Sequence, residues 1–243
     1  MNANGAGSAA ERIMVALDYQ EAGSALDVVR KLDGIPCWMK VGMELFYAEG
    51  PAFVRELKDR GHKVFLDLKL HDIPNTVRGA ARSVTRLGAD MFNVHAAGGS
   101  AMMRAAMEGV VQGAEGGALP QVIAVTQLTS TSQDMLNEEI GIAGSVADTV
   151  VRYAQLAKAS GLQGVVASAQ EAGILKEACG SGFVLVTPGI RPAGSSMDDQ
   201  SRVLTPAQAL AAGSDYLVIG RPITAASDPR AALESIVKEL VHS

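Results

Sequence analysis

KVFLDLKLHDIPNTVRGAARSVTRLGADMFNVH, residues 63–95, reads as a strand, a loop, a helix and a second strand. Residues 63–69 form a short run that opens on Lys63, is apolar over 64–66, and carries Asp67 and Lys69 near its end. Over 76–87, Val77, Ala80, Ala81, Val84 and Leu87 fall at helical spacing, with Arg78, Arg82 and Arg86 on another face. Gly88 follows where a left-handed C-terminal cap is wanted, and 91–95 is the next apolar run. Strand, helix and strand at this spacing make a parallel sheet, whose strands are buried on both faces and so are nearly continuous in β-branched and aliphatic residues.

The unit repeats along the chain. Strands are expected over 13–18, 37–42, 63–69, 91–95, 122–128, 164–168, 184–187 and 216–220, and helices over 24–32, 52–60, 76–87, 101–112, 146–159, 170–178, 206–212 and 229–241. Gly61, Gly161 and Gly213 follow three more helices, and Pro206 and Pro229 sit just inside helix starts. About eight such units in 243 residues is the size of a closed (β/α)₈ TIM barrel of class α/β. An open doubly wound sheet would carry a G-x-G-x-x-G turn after its first strand, and residues 18–23 are not one. No Pro- or Ser-rich linker divides the chain. One barrel domain is expected over 12–243, with the small, polar residues 1–11 as a flexible N-terminal tail.

Composition narrows the function. A 48% hydrophobic chain can bury a large core, and its low aromatic content, 4%, suits helix-on-sheet packing. The net charge of −5 with scattered bases offers no stripe that would track a nucleic acid. Cys37 and Cys179 lack metal or redox spacing and read as reduced, buried thiols. Neither the four histidines nor the cysteines show metal spacing, and no G-x-S-x-G elbow is present. The start has no basic region leading into an apolar one, and no apolar run approaches a membrane span. A cytoplasmic protein is expected.

The strand ends hold the chemistry. In a barrel of this kind the active site lies at the C-terminal ends of the strands. Those ends carry Asp18; Lys40; Asp67, Lys69 and Asp72; Asn93 and His95; Thr126, Thr129 and Ser130; Ser168; 187–191; and Gly220 with Arg221. Asp67 and Lys69, two apart on a strand, point the same way, and Lys40 is expected to face the same space. Alternating ammonium and carboxylate groups could be an ion-pair network that only ties strands together; four such groups at one end favour function. His71 and His95 are candidates for acid–base work, though a lone histidine at a strand end more often supports its neighbours. On the far side, Gly220-Arg221-Pro222-Ile223-Thr224 offers a small residue, backbone N–H groups and one guanidinium, a cradle for a phosphate. The Gly/Ser-rich loop 188–202, with Arg191 and Gln200, reads as a lid over it.

The run Asp67-Leu-Lys69-Leu-His71-Asp72-Ile73-Pro74-Asn75-Thr76 resembles the Asp-x-Lys-x-x-Asp-Ile-Pro-x-Thr signature of the orotidine 5′-monophosphate (OMP) decarboxylases, in the bacterial form. Val15-Ala16-Leu17-Asp18, Lys40-Val41-Gly42, Thr126-Gln127-Leu128-Thr129-Ser130, Thr187-Pro188-Gly189-Ile190-Arg191 and Gly220-Arg221-Pro222-Ile223 are similar to further blocks of that family, in its order. The resemblance covers essentially the whole chain. It implies conversion of OMP to UMP and CO₂ in de novo pyrimidine synthesis, with no metal or cofactor. Lys69 would protonate C6, and Lys40, Asp67 and Asp72 would complete a charged tetrad. Asp18 and Lys40 would bind the ribose, Thr129 the pyrimidine edge, and Arg191, Gly220 and Arg221 the phosphate. Gln200 would bridge pyrimidine and phosphate. Asp72, Ile73 and Thr76 would enter the partner's site in a homodimer.

Two other readings compete. Relatives on the same barrel, such as 3-keto-gulonate 6-phosphate decarboxylase and hexulose phosphate synthase, share the Asp-x-Lys strand but use Mg²⁺, and Glu44 is a carboxylate available near Lys40. The Asp72–Thr76 continuation, Thr129 and Gln200 favour the pyrimidine enzyme. A phosphosugar- or nucleotide-binding module without catalysis would be expected to lose one of the four charged groups, and none is lost.

Overall fold

Parallel strands buried on both faces must alternate between two cores, and here the alternation also decides where the charges go. The computed structural model describes residues 3–192 and 204–242. The strands are β1 (Ile13–Ala16), β2 (Trp38–Gly42), β3 (Lys63–Leu70), β4 (Met91–His95), β5 (Gln121–Val125), β6 (Gly164–Val166), β7 (Val184–Thr187) and β8 (Tyr216–Ile219). Each pairs in parallel with the next and β8 returns to β1, closing the barrel. The helices are α1 (Ala3–Ala10), α2 (Ala22–Leu32), α3 (Met43–Asp59), α4 (Pro74–Arg86), α5 (Gly99–Ala114), α6 (Val146–Ala159), α7 (Ala172–Cys179), α8 (Pro206–Ala211), α9 (Arg221–Thr224) and α10 (Pro229–His242). The expected (β/α)₈ barrel is the observed architecture.

Met14, Trp38, Phe65, Met91, Ile123, Val186 and Val218 fill the barrel's interior, while Val15, Met39, Leu66 and Phe92 face the helices. Side chains two residues apart share a face. Moving one step toward the C-terminal end from Trp38, Phe65 and Met91 therefore reaches Lys40, Asp67 and Asn93. The same inward column that is apolar below becomes polar at the mouth.

Several boundaries differ from those expected. Residues 3–10 are not a tail but the helix α1, which packs on α10 and buries Ala9 and Ala10. Alanine favours a helix, and its small side chains permit the close approach, yet they leave no periodic apolar signal. Helix α3 is two helical segments: the backbone leaves helical geometry at Gly50 (φ 68°, ψ −163°), so an extra segment from Met43 precedes the helix expected from 52, which follows Pro51. The strand expected to run to 128 stops at Val125, and Thr126 turns its hydroxyl onto the carbonyl of Val166. Neither the short α9 nor the π-helical turn Met135–Glu139 has a periodicity long enough to be seen. The expected caps Gly61, Gly88, Gly161 and Gly213 all have positive φ.

Helices α4 and α5 touch at two glycines one turn apart. A Cβ on Gly109 would lie 2.2 Å from the carbonyl oxygen of Arg78, and one on Gly113 would lie 2.6 Å from that of Arg82. Gly109→Ala is thus expected to wedge α4 off α5 at about 1–3 kcal/mol, lowering Tm by roughly 2–4 °C per kcal/mol for a chain of this size. Gly79→Ala, on α4 with nothing within 4 Å, is expected to raise it slightly, by removing a helix-interior glycine. Thermal melts of the two variants check the contrast; equal shifts would refute the close-contact argument.

Candidate active site

The centre of the site is a defect in β3. Leu66 pairs with Phe92 and Leu70 with Val94, so four steps of β3 run against two of β4. The slack is taken up around Lys69, which has φ 53°. That left-handed conformation costs a non-glycine residue about 1–3 kcal/mol and takes the Lys69 N–H out of the ladder. Asn93 on β4 meets it: its Oδ1 accepts from the Lys69 N–H at 2.7 Å, and its Nδ2 donates to Asp67 Oδ1 at 2.7 Å. Lys69 Nζ donates to the same Asp67 oxygen at 2.7 Å.

Lys40 completes the cluster from β2. Its Nζ lies 3.5 Å from Asp67 Oδ2 and donates to Asp18 Oδ1 at 3.1 Å. Asp67 thus stands between two ammonium groups. Burial works to raise its pKa, but Lys40, Lys69 and the hydrogen bonds from Lys69 and Asn93 outweigh burial and hold it below the ordinary 3.8. Gly42 leaves room for the pair: a Cβ there would meet Lys40 Nζ at 3.3 Å and Asp18 Oδ1 at 3.4 Å. His95 faces this cluster from β4, its ring 5.4 Å from that of His71. Burial, then the electrostatic influence of His71 and Lys69, lower its pKa from 6.5, against an opposing pull from Asp67.

Asp18, Lys40, Asp67 and Lys69 line a cavity of about 460 Å³ at the strand C-termini. Phe65, Val125, Val166 and Val218 form its apolar floor. Thr129, Arg191, Gly220 and Arg221 line it too. Arg191 is 8% exposed, and its Nε is buried with no hydrogen-bond partner among the described residues. A guanidinium N–H in that state suits an arriving anion. Gly220 caps α9, which the Tyr19 hydroxyl ties down by donating to the carbonyl of Thr224 at 3.0 Å. The foot of the 188–202 loop is pinned where Ile190 bridges to Leu204. A larger groove, about 660 Å³, lies by α1 and α10 at the other end of the barrel, away from this concentration of charge.

Comparison with known proteins fits this geometry. The sequence profile of the family described as "Orotidine 5'-phosphate decarboxylase / HUMPS family" matches residues 11–236. The chain belongs to that family. It is 54% identical to the orotidine 5′-phosphate decarboxylase of Geobacillus thermodenitrificans over 93% of this chain and 95% of that one. It is 55% identical to that of Cutibacterium acnes over 93% and 94%. A crystal structure of orotidine 5′-phosphate decarboxylase from Lactobacillus acidophilus superposes with a TM-score of 0.85 at 44% identity, covering 94% of this chain and 98% of that one.

Of the family residues expected from sequence, Asp18, Lys40, Asp67, Lys69, Thr129, Arg191, Gly220 and Arg221 share the one cavity. Asp72, Ile73 and Thr76 do not join them. They lie exposed on the loop after β3 and the start of α4, with Asp72 Oδ1 accepting from the Ile73 N–H. Gln200 falls outside the described residues. Glu44 lines a neighbouring cavity with Asp18, Glu21 and Ser24 rather than this one. Asn93 reads in the sequence only as a polar strand end and Gly42 only as part of a family block, so neither is given a role in the site there. Cys37 and Cys179 are both buried and free, and burial pushes the Cys37 thiol up to about 12. Among the described residues no helix is long and apolar enough to cross a membrane.

The Asp67 shift has a sign that stability can report. A carboxyl held below its ordinary pKa stabilises the fold above the unfolded-state value, about 3.9, and that contribution is lost as pH falls through the lower folded-state value. Asp67→Asn is therefore expected to be less stable than the wild type at pH 7, with the gap narrowing below about pH 3.9. Urea unfolding at pH 7 and pH 3 checks it. A gap independent of pH would mean that ionised Asp67 is not what the lysines stabilise.

Proposed function

We propose that this protein decarboxylates orotidine 5′-monophosphate to UMP and CO₂ in the cytoplasm, for pyrimidine synthesis, with side chains alone and as a homodimer. One observation carries the reading: the ammonium of Lys69, fixed at 2.7 Å by a half-buried Asp67, shares a cavity with Arg191 and Arg221. The relatives named for this activity support the same conclusion.

Losing CO₂ from C6 leaves a carbanion with no adjacent carbonyl to take the charge. A preorganised ammonium stabilises it most in a site that excludes water, then donates the proton. Lys69 has that role. Asp67 keeps Lys69 aimed and, being ionised, crowds the substrate carboxylate, a source of ground-state strain. Asp18 and Lys40 hold the ribose, and Thr129 reads the pyrimidine edge. The phosphate binds Arg191, the Gly220–Arg221 backbone and the Arg221 guanidinium, far from C6. Its binding energy acts by orienting the ring.

Release of CO₂ from orotidine monophosphate by the purified protein in EDTA tests the reaction. Undiminished turnover is expected. Activity lost to EDTA and restored by Mg²⁺ would instead favour the magnesium-dependent sugar-phosphate relatives. Lys69→Ala is expected to abolish turnover while UMP still binds, because the ammonium matters most once charge develops at C6. Near-normal turnover would remove Lys69 as proton donor.

The dimer rests on the three family residues that stand outside their own cavity. Ile73 is 67% exposed and Met43 43% exposed, at the C-terminal ends of neighbouring strands, an apolar surface that a second copy would cover. Asp72, Ile73 and Thr76 would then complete the partner's tetrad and ribose site. Mixing Lys69→Ala with Asp72→Ala subunits, each inactive alone, gives heterodimers with one site native at both positions. With half the dimers mixed, roughly a quarter of wild-type activity is expected for twofold symmetry. If subunit exchange is verified with differently tagged chains and no activity returns, Asp72 does not act across the interface.

A further inference from the structure

The bulge in β3 leaves two demands that the ladder cannot meet. The Lys69 N–H needs an acceptor, and Asp67, which receives Lys69 Nζ, needs a second donor to keep its orientation. Both are met by one side chain. Lys69 N–H to Asn93 Oδ1, Asn93 Nδ2 to Asp67 Oδ1, and Lys69 Nζ to that same Oδ1 form a closed ring of three hydrogen bonds, each 2.7 Å long. Asn93 is 1% exposed. Its backbone is paired in register with Ile123 of β5, so the amide projects from a fixed point. We propose that Asn93 is a positioning residue, whose buried amide holds Lys69 in its left-handed conformation and Asp67 in its orientation, and so sets the geometry of both reacting groups.

This rests on the reading of Lys69 and Asp67 as those groups. An amide alone meets the requirement, because one end must donate and the other accept. A carboxylate of the same shape lacks the donor, and alanine lacks both and leaves the strained Lys69 unsupported. The titratable groups around the ring are Asp67 and Lys69 of β3, Lys40 of β2, His95 on β4 itself and His71 from the loop after β3.

Steady-state kinetics of Asn93→Ala and Asn93→Asp on orotidine monophosphate across pH test the proposal. Asn93→Ala is expected to lose kcat by about 100-fold, the size of effect that small misplacement of a reacting group produces, with KM little changed. In Asn93→Asp two carboxyls meet, and such a pair retains one proton to higher pH than a lone carboxyl does. That shared proton restores a donor to Asp67. The ratio of Asn93→Asp to wild-type kcat should therefore rise as pH falls, while the ratio for Asn93→Ala should not. Thermal melts and UMP binding identify any variant that fails to fold; if Asn93→Ala does, the Asn93→Asp ratio decides alone. Wild-type kcat in Asn93→Ala, or a flat ratio for Asn93→Asp, would overturn the proposal. Lys69→Ala in the same assay separates the two ideas. If it keeps turnover, the reading of Lys69 falls. If it is dead while both Asn93 variants match wild type, only the role of Asn93 falls.

Discussion

Asp67 between two ammonium groups is the interaction on which the mouth of the barrel depends. Two lysines, Lys40 and Lys69, point into one cavity, an arrangement that would repel itself without the carboxylate between them. Burial alone would push that carboxylate toward its neutral form, but the lysines and the hydrogen bonds reverse the balance. Its charge is therefore not an ornament of the fold. It is what allows the inward column of a parallel barrel to change from Trp38, Phe65 and Met91 to Lys40, Asp67 and Asn93 within one step of the pleat.

The barrel supports this charge in a way an isolated sheet could not. Closure leaves no edge from β1 to β8, so the strands cannot slide to relieve strain at one point. The left-handed Lys69 persists because β2 holds the strand as far as Asp67, and β4 holds it at Leu66 and again at Leu70, on either side of Lys69. A strained residue at a functional centre, over-determined by its surroundings, is the usual way such conformations survive. Arg191, in the same cavity, has the complementary property. Arg191 keeps a buried N–H without a partner among the described residues, a cost that an arriving anion would remove. The proposed reaction uses this N–H for the phosphate and the Lys69 ammonium for the reacting carbon.

Much of this was legible in the residues. Lys40, Asp67 and Lys69 interrupt apolar strands, and charge inside such strands is costly unless it is used. Arg221 after the last strand and Arg191 in the seventh loop were recognisable by type and place. Asn93 was visible as a polar strand end, but nothing in its spacing announced two partners. Its role follows from a register slip of β3 against β4, and register is not written in one strand. Gly42 likewise acquires meaning only when Lys40 and Asp18 are seen to close around it. The helix α1 hid because alanine and glycine give no periodicity, although they pack well.

By itself, the sequence determined the barrel and the inventory of its mouth. Nearly continuous aliphatic strands, 3.6-residue helices and their punctuating Gly and Pro residues are local properties that each segment carries alone. Tertiary structure decided which groups meet. The bulge at Lys69, the amide ring through Asn93, the eight family residues gathered in one cavity and the exclusion of Asp72, Ile73 and Thr76 from it all depend on contacts between residues far apart in sequence. The physical reason is that a charge or an amide takes its function from its partners' distances, and those are set only when the eight strands close on one another.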